Sequence, residues 1–574
     1  MNKGLRNNWK MYTYDEATDT YASEDWNPTV KITSSYDNTR NISYQVQANY
    51  KRDWNDAHHL ALSAIFEGRQ SDNDHNSIEK YFDFYTNDQI DYAGDANAKS
   101  GGNESHTRNL SFIGRVTYDY KSKYLLEVAV RRDGSYRYHP DVRWGTFPVV
   151  SAGWRISEEP WMKGASSWLS NLKLRGSYGI IGEDAGDAFQ YVYGYSVSGG
   201  GWWEFSGNTS TIGVTTPVLV NDHLTWTKSY LTDIGVDLGF FDNKLSFTFD
   251  VFRKDKTGIL ANKSVAVPNT FGAKFPQENL NSNRTQGLEL SLGYKDRIGD
   301  FFYNINGNVT FGRTMNMYIE HGDYTNSWAE YKNGSAYRWT GIAWVYKIIG
   351  QFQTQEEIDN YAVYSTLLGN KYMLPGDWKY EDTNGDGVID GDDLRPISYS
   401  AGSTPVWNYG LTLSGSWRGF DVSLLFQGAA GFVTFYSGPY AEPFWQDGNI
   451  PAYYMDMWHH ADPYDMNSEW IPGSLPALRH SSKDGYRNQP SAMSYKDCSY
   501  VRLKNVELGY TFSQPFMKKA HIDKLRIFVN ANNVFTLCDK YVKAYDPEKV
   551  AGQQNLGWNY PLLKTFNVGI NLNF

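Results

Sequence analysis

The sequence predicts an all-β protein, an antiparallel transmembrane β-barrel with long extracellular loops and short periplasmic turns. Three observations carry that expectation. The first is the C-terminus, Leu562-Leu563-Lys564-Thr565-Phe566-Asn567-Val568-Gly569-Ile570-Asn571-Leu572-Asn573-Phe574. Its even positions are mostly apolar and its odd positions mostly Thr, Asn and Gly, and a period of two puts those sets on opposite faces of a strand. One greasy face and one wet face suit a barrel wall with lipid outside and water inside. The second is composition. Aromatics make up 16% of 574 residues, with 44 Tyr and 20 Trp, yet mean hydropathy is −0.58. No stretch approaches the roughly 18–20 apolar residues of a spanning helix. The third is that tight and long connections alternate along the chain.

The strands follow in order. Ile42, Tyr44, Val46, Ala48 and Tyr50 alternate with Ser43, Gln45, Gln47 and Asn49. Tyr124, Leu126, Val128 and Val130 repeat the pattern, as do Ile234, Val236, Leu238 and Phe240 against Asp233, Gly235, Asp237 and Gly239. Leu245, Phe247, Phe249 and Val251 oppose Ser246, Thr248 and Asp250; Tyr303, Ile305, Val309 and Phe311 oppose Asn304, Asn306, Asn308 and Thr310. Leu525, Ile527, Val529 and Ala531 precede the closing strand. In all, about sixteen such runs can be read. Short turns fall at 121–122, 241–243, 296–299 and 418–419, with long polar segments at 68–107, 181–227, 256–283, 314–403, 434–498 and 537–561. Compact soluble domains seldom carry repeated loops beyond about 15 residues, whereas outer-membrane barrels do. Residues 158–170 break the rhythm and read as a short periplasmic helix. Phe566, Val568, Ile570, Leu572 and Phe574 read as the C-terminal signal presented to the barrel-assembly machinery.

A net charge of −10 argues against a nucleic-acid partner. Cys498 and Cys538 are the two cysteines, which leaves one disulfide or none. Met1 is followed by Asn-Lys-Gly-Leu-Arg-Asn-Asn, which lacks the charged and apolar regions of an export signal. An exported barrel needs one, so the chain is expected to be a downstream piece of something longer.

Several segments then point to one family. They include Gly114-Arg115-Val116-Thr117-Tyr118-Asp119-Tyr120, Arg131-Arg132-Asp133-Gly134-Ser135, Arg143-Trp144-Gly145-Thr146-Phe147-Pro148 and Leu172-Lys173-Leu174-Arg175-Gly176-Ser177-Tyr178-Gly179. Leu224-Thr225-Trp226, Asn283-Arg284-Thr285-Gln286-Gly287-Leu288, Tyr500-Val501-Arg502-Leu503-Lys504-Asn505-Val506 and the closing Gly569-Ile570-Asn571-Leu572-Asn573-Phe574 continue the set. Together they resemble the SusC/RagA group of TonB-dependent outer-membrane transporters. The resemblance implies a barrel of about 22 strands, a plug, a TonB-contacting segment and a signal peptide. On that resemblance residues 1–574 are expected to be the C-terminal part of such a barrel, without plug or signal peptide. It further implies import of oligosaccharide or peptide cargo, a SusD-like surface lipoprotein as lid, the TonB system acting through the missing N-terminal part, and the outer membrane of a Gram-negative bacterium. A porin- or adhesin-like barrel, a non-functional fragment, and a soluble carbohydrate-binding β protein are the rival readings.

Two sets of residues carry candidate chemistry. Asp382-Thr383-Asn384-Gly385-Asp386-Gly387-Val388-Ile389-Asp390-Gly391-Asp392-Asp393 fits a calcium loop, within the long loop 314–403. Asp382, Asn384, Asp386, the Val388 carbonyl, Asp390 and Asp393 would be the ligands, with Asp393 where Glu is usual. An acidic, Gly-rich turn is the plainer alternative. Trp202, Trp203, Trp445, Trp458 and Trp470 crowd the long loops and could stack on sugar rings, though loop packing explains such residues equally well. Catalytic signatures are absent: adjacent His58-His59 and His459-His460 lack zinc spacing, and there is neither a Gly-x-Ser-x-Gly elbow nor a phosphate loop. The chain is not expected to be an enzyme.

Overall fold

The structure is a computed structural model. It describes every residue except 1, 7–9, 16, 26–29, 83–88, 195, 206–208, 216–218, 265–274, 366–369, 371–372, 399–403, 437–442, 445–448, 479–492, 494, 513–521, 544–545 and 550–561. A 17-stranded sheet forms the wall. Its strands are β1 (Asn2–Arg6), β2 (Val30–Trp54), β3 (His58–Phe82), β4 (Gly94–Tyr120), β5 (Tyr124–Ser135), β6 (Trp144–Arg155), β7 (Leu169–Glu183) and β8 (Thr227–Phe240). They continue as β9 (Leu245–Asn262), β10 (Gln277–Ile298), β11 (Phe301–Tyr318), β12 (Trp407–Trp417), β13 (Phe420–Ala430), β14 (Tyr500–Phe512), β15 (Lys524–Cys538) and β16 (Thr565–Asn573). The two-residue strand Arg338–Trp339 adds to β11. From β2 to β16 each strand pairs antiparallel with the next, and β1 pairs with Lys31–Ser35 of β2.

The tight turns explain this order. Lys121 and Ser122 both take positive φ, as do Phe241, Asp242 and Asn243, and Arg418 with Gly419. Positive φ through a short loop matches the right-handed twist of the strands it joins. At that same end the chain between β6 and β7 forms two 3-10 helices, Ile156–Glu158 and Pro160–Ala165, where a helix over 158–170 was expected. Glu159 anchors the turn by accepting hydrogen bonds from the Tyr124 hydroxyl at 2.6 Å and the Trp154 indole at 3.1 Å.

The opposite end departs from the expected run of structureless loops. Segment 68–107 is largely strand: β3 and β4 pair almost without a break from His58–Tyr120 up to Tyr81–Gly94. Its Asn, Asp and Ser content reads as loop because both faces of this tall hairpin are polar. Segment 314–403 also folds. Phe352, Ile358, Tyr380 and Ile389 lie in a buried core with Tyr454 and Leu475 from the next long loop.

Two aromatic belts bound the apolar outer face. Trp144 and Trp154 lie ten residues apart on β6, Phe301 and Phe311 ten apart on β11, and Trp407 and Trp417 ten apart on β12. Ten residues at about 3.4 Å, tilted about 40°, span roughly 26 Å of bilayer normal, close to the 25 Å apolar band of such barrels. The belts continue sideways through ring contacts: Tyr44 to Phe66 to Phe112 to Trp144 above, and Tyr120 to Tyr124 to Trp154 below.

Candidate functional site

The inner face of the wall is polar and held by ion pairs. Arg175 of β7 lies opposite Gly235 of β8, which lies opposite Asp250 of β9. Its guanidinium donates to Asp250 at 2.6 Å, to Asp233 at 3.4 Å and to Asp237 at 3.3 Å. Gly235 makes this possible: a Cβ there would fall 2.1 Å from Asp250 Oδ1 and 2.8 Å from Arg175 Cζ. Arg131 similarly pairs with Asp133 at 2.8 Å, and Arg526 with Glu507 at 2.6 Å and with Asp421. A cavity of about 370 Å³ opens beside the Arg175 node, lined in part by Asp119, Glu127, Lys173 and Ser177. The inward placement of Asp233, Asp237 and Asp250 follows from strand alternation. Arg175 as their common partner does not, because β7 and β8 meet only across the long segment 184–226.

The acidic loop caps the folded outer core. Asp382 accepts hydrogen bonds from the Gly385 N–H at 2.6 Å and the Gly387 N–H at 2.8 Å. Asp386 accepts from the Val388 N–H at 2.8 Å, and the Asn384 side-chain oxygen accepts from the Asp386 N–H at 3.0 Å. Asp390 opens a 3-10 turn, Gly391–Asp393, with a reciprocal capping box. Asp393 is fully buried and accepts from the Thr383 N–H at 2.8 Å and the Asp390 N–H at 2.9 Å. Burial, with Asp390 and Asp393 nearby, pushes the Tyr346 hydroxyl up to about 12. The donors are hard oxygens of the kind calcium takes. Among the described residues no three acidic, His or Cys side chains converge on one point, so the backbone N–H groups organise the loop here.

The tryptophans take different places. Trp202 and Trp203 lie in the strand Ser196–Phe205, paired with Thr209–Thr215, with side chains outside the described residues. Trp445 is also outside them. Trp458 is 3% exposed and lies against Gly376, where φ is +92 and a Cβ would come 2.3 Å from the ring. Trp470 is half-buried and packs on His460, ring centroids 3.9 Å apart. Phe566, Val568, Ile570 and Leu572 are exposed along β16, as is Phe574 just past its end.

A second cluster, with no sequence signal, joins three distant segments above the upper belt. Arg502, 1% exposed, donates to Asp546 at 2.7 Å and to Glu548 at 2.9 Å, tying the last long loop to β14. That loop presents Tyr541 to Tyr436 and Tyr453, with ring centroids 5.7 and 5.1 Å away. Lys496 lies among them, 4.1 Å from the Tyr541 ring centroid. Cys498 and Cys538 are free thiols in this structure.

An ion-paired inner face, an apolar outer face and two belts a bilayer apart define a β-barrel wall of the outer membrane. The chain belongs to the family described as TonB dependent receptor-like, beta-barrel, whose model matches residues 2–534. It is similar to TonB-dependent receptor P39 of Formosa agariphila, 27% identical over 92% of this chain and 52% of that relative. It is also similar to TonB-dependent receptor SusC of Bacteroides thetaiotaomicron, 26% identical over 82% of this chain and 44% of that protein. The RagAB peptide importer in its open-open state shares the fold, with a TM-score of 0.74 at 19% identity over 95% of this chain and 56% of that one. The chain therefore spans about half the length of the relatives it matches. As a SusC-type TonB-dependent receptor barrel, it resides in the outer membrane.

Proposed function

We propose that this chain forms the wall and outer loops of an active importer of oligosaccharide or peptide cargo. One observation carries the reading: among the described residues the wall pairs a lipid-facing band of bilayer height with a charged inner face and a folded loop core on one side only. A passive pore needs the first two but not a built outer platform. Cargo would be captured among the outer loops under a SusD-like surface lipoprotein, and the TonB system would supply force through the part of the relatives that this chain does not span. The exposed face of β16 would be read by the barrel-assembly machinery. Calcium at 382–393 would serve as a structural clamp on the loop core, with Asp382, Asn384, Asp386, the Val388 carbonyl, Asp390 and Asp393 as donors.

Deleting the gene in its source bacterium tests import. Growth on the matching oligosaccharide or peptide mixture should fail while growth on the constituent monomers continues. Unchanged growth on every such mixture would end the import reading. For the clamp, EGTA should lower the temperature at which the loop tyrosines lose their near-ultraviolet signal, and D382N should abolish that sensitivity.

A further inference from the structure

Lys496 is unusual among the charged groups of this chain. It lies on the short strand Tyr495–Asp497, paired with Val433–Phe435 beyond the upper aromatic belt. Its side chain is 8% exposed, yet no carboxylate among the described residues comes within ion-pair distance. Its ammonium instead faces the Tyr541 ring at 4.1 Å and the Tyr436 ring at 5.9 Å. Arg502, buried more deeply still, has two carboxylates within 3 Å. Burying a cation without its counter-charge is costly, and π faces return only part of that cost.

We propose that Lys496, walled by Tyr436 and Tyr541, is the floor of an anion subsite at the extracellular mouth that takes a carboxylate group of the cargo. The tyrosine rings hold the ammonium in place, and the ammonium supplies the missing pairing. Burial also pulls the Lys496 amine down to about 8, with Asp539 opposing and Lys540 reinforcing the shift. Tyr541 enters from the last long loop, which Arg502 holds in place through Asp546 and Glu548, so the subsite is assembled from both loops at once. The inference rests on the import reading and narrows it to acidic cargo, either a uronate-bearing glycan or a peptide with a free C-terminal carboxylate.

The test uses the full chain folded in detergent and two matched probe pairs: trigalacturonate against trigalactose, and a tripeptide against its C-terminal amide. Isothermal titration should show one acidic member binding about tenfold or more tighter than its neutral partner, as a charge-assisted contact allows. The pair that discriminates names the source of the carboxylate. K496M should erase the ratio while leaving the neutral member's affinity unchanged, and K496R should keep most of it. In the wild type, the preferred acid should also protect Lys496 from acylation, read by mass spectrometry, which needs no variant. Equal binding of acid and neutral partners, a ratio that survives K496M, or absence of binding by all four probes would each overturn the subsite. The import reading would stand or fall separately, on the growth experiment.

Discussion

At the scale of single residues, two positions hold more than their size suggests. Gly235 leaves the space in which Asp250 and Arg175 meet. G235A should destabilise the wall by about 1–3 kcal/mol, since neither the strand backbone nor the ion pair can retreat freely. The midpoint of heat-induced gel-shift unfolding would report it, and an unchanged midpoint would refute the crowding argument. Arg502 is the other. R502A leaves Asp546 without its partner and Glu548 with Lys504 alone at 3.4 Å, and should cost about 3 kcal/mol in loop stability, seen as rapid proteolysis near residue 546 while the wall stays intact. Lys496 gives a pH signature. Its folded pKa is depressed, so below about 8 the fold bears an ammonium it would rather lack. Between there and the ordinary lysine value the unfolded chain binds more protons, and loop stability should rise with pH. Burial raises the Tyr436 and Tyr453 hydroxyls, so above about pH 10 the trend reverses as tyrosines ionise only in the unfolded chain. Tyrosine circular dichroism during thermal melts at pH 7, 9 and 11 would trace that rise and fall, and K496M should flatten the rise.

At the scale of elements, alternation made most of the wall legible. Val128 and Ala129 illustrate why: period two assigns one to lipid and the other to water without any knowledge of neighbours. V128R should cost about 2–4 kcal/mol on folding into lipid vesicles, whereas A129R should be nearly neutral. Equal costs would mean that the faces have been assigned wrongly. Spin labels at Phe247 and Thr248 offer a gentler check, since a lipid-soluble relaxant should quench only the first. What alternation could not reveal was the hairpin of β3 and β4. Asn73, Asp74, His75 and Asn76 carry no apolar face, so nothing in their pattern separates strand from loop. Their order comes from backbone pairing with Asn103, Glu104 and neighbours. The acidic segment 382–393 was legible as a tight turn from its glycines. Its seat on a hydrophobic core was not, because Phe352 and Leu475 are brought together from loops more than a hundred residues apart. Trp458 shows the same limit: its type suggests a stacking surface, but its neighbours bury it.

At the scale of the whole molecule, the belts give the chain a vertical axis and the outer loops give it a direction. The upper belt passes through Phe66 on β3, yet that strand continues to Phe82. Sixteen further residues raise the β3–β4 hairpin roughly 40 Å above the lipid. On the far side, β13 ends at Ala430, paired with Trp407 of the belt itself. The strand wall is therefore lopsided: paired strands carry one flank upward, while the other ends at the belt and is topped by the folded core of the loops that hold Phe352 and Leu475. Atomic force images of the chain in a supported bilayer, after limited proteolysis of the loops, should show a single off-centre crest. Large molecules arriving from outside would meet a stiff screen of paired strands along one arc and folded loop surface along the other, so the kind of surface met at the mouth is written into strand length before any side chain is consulted.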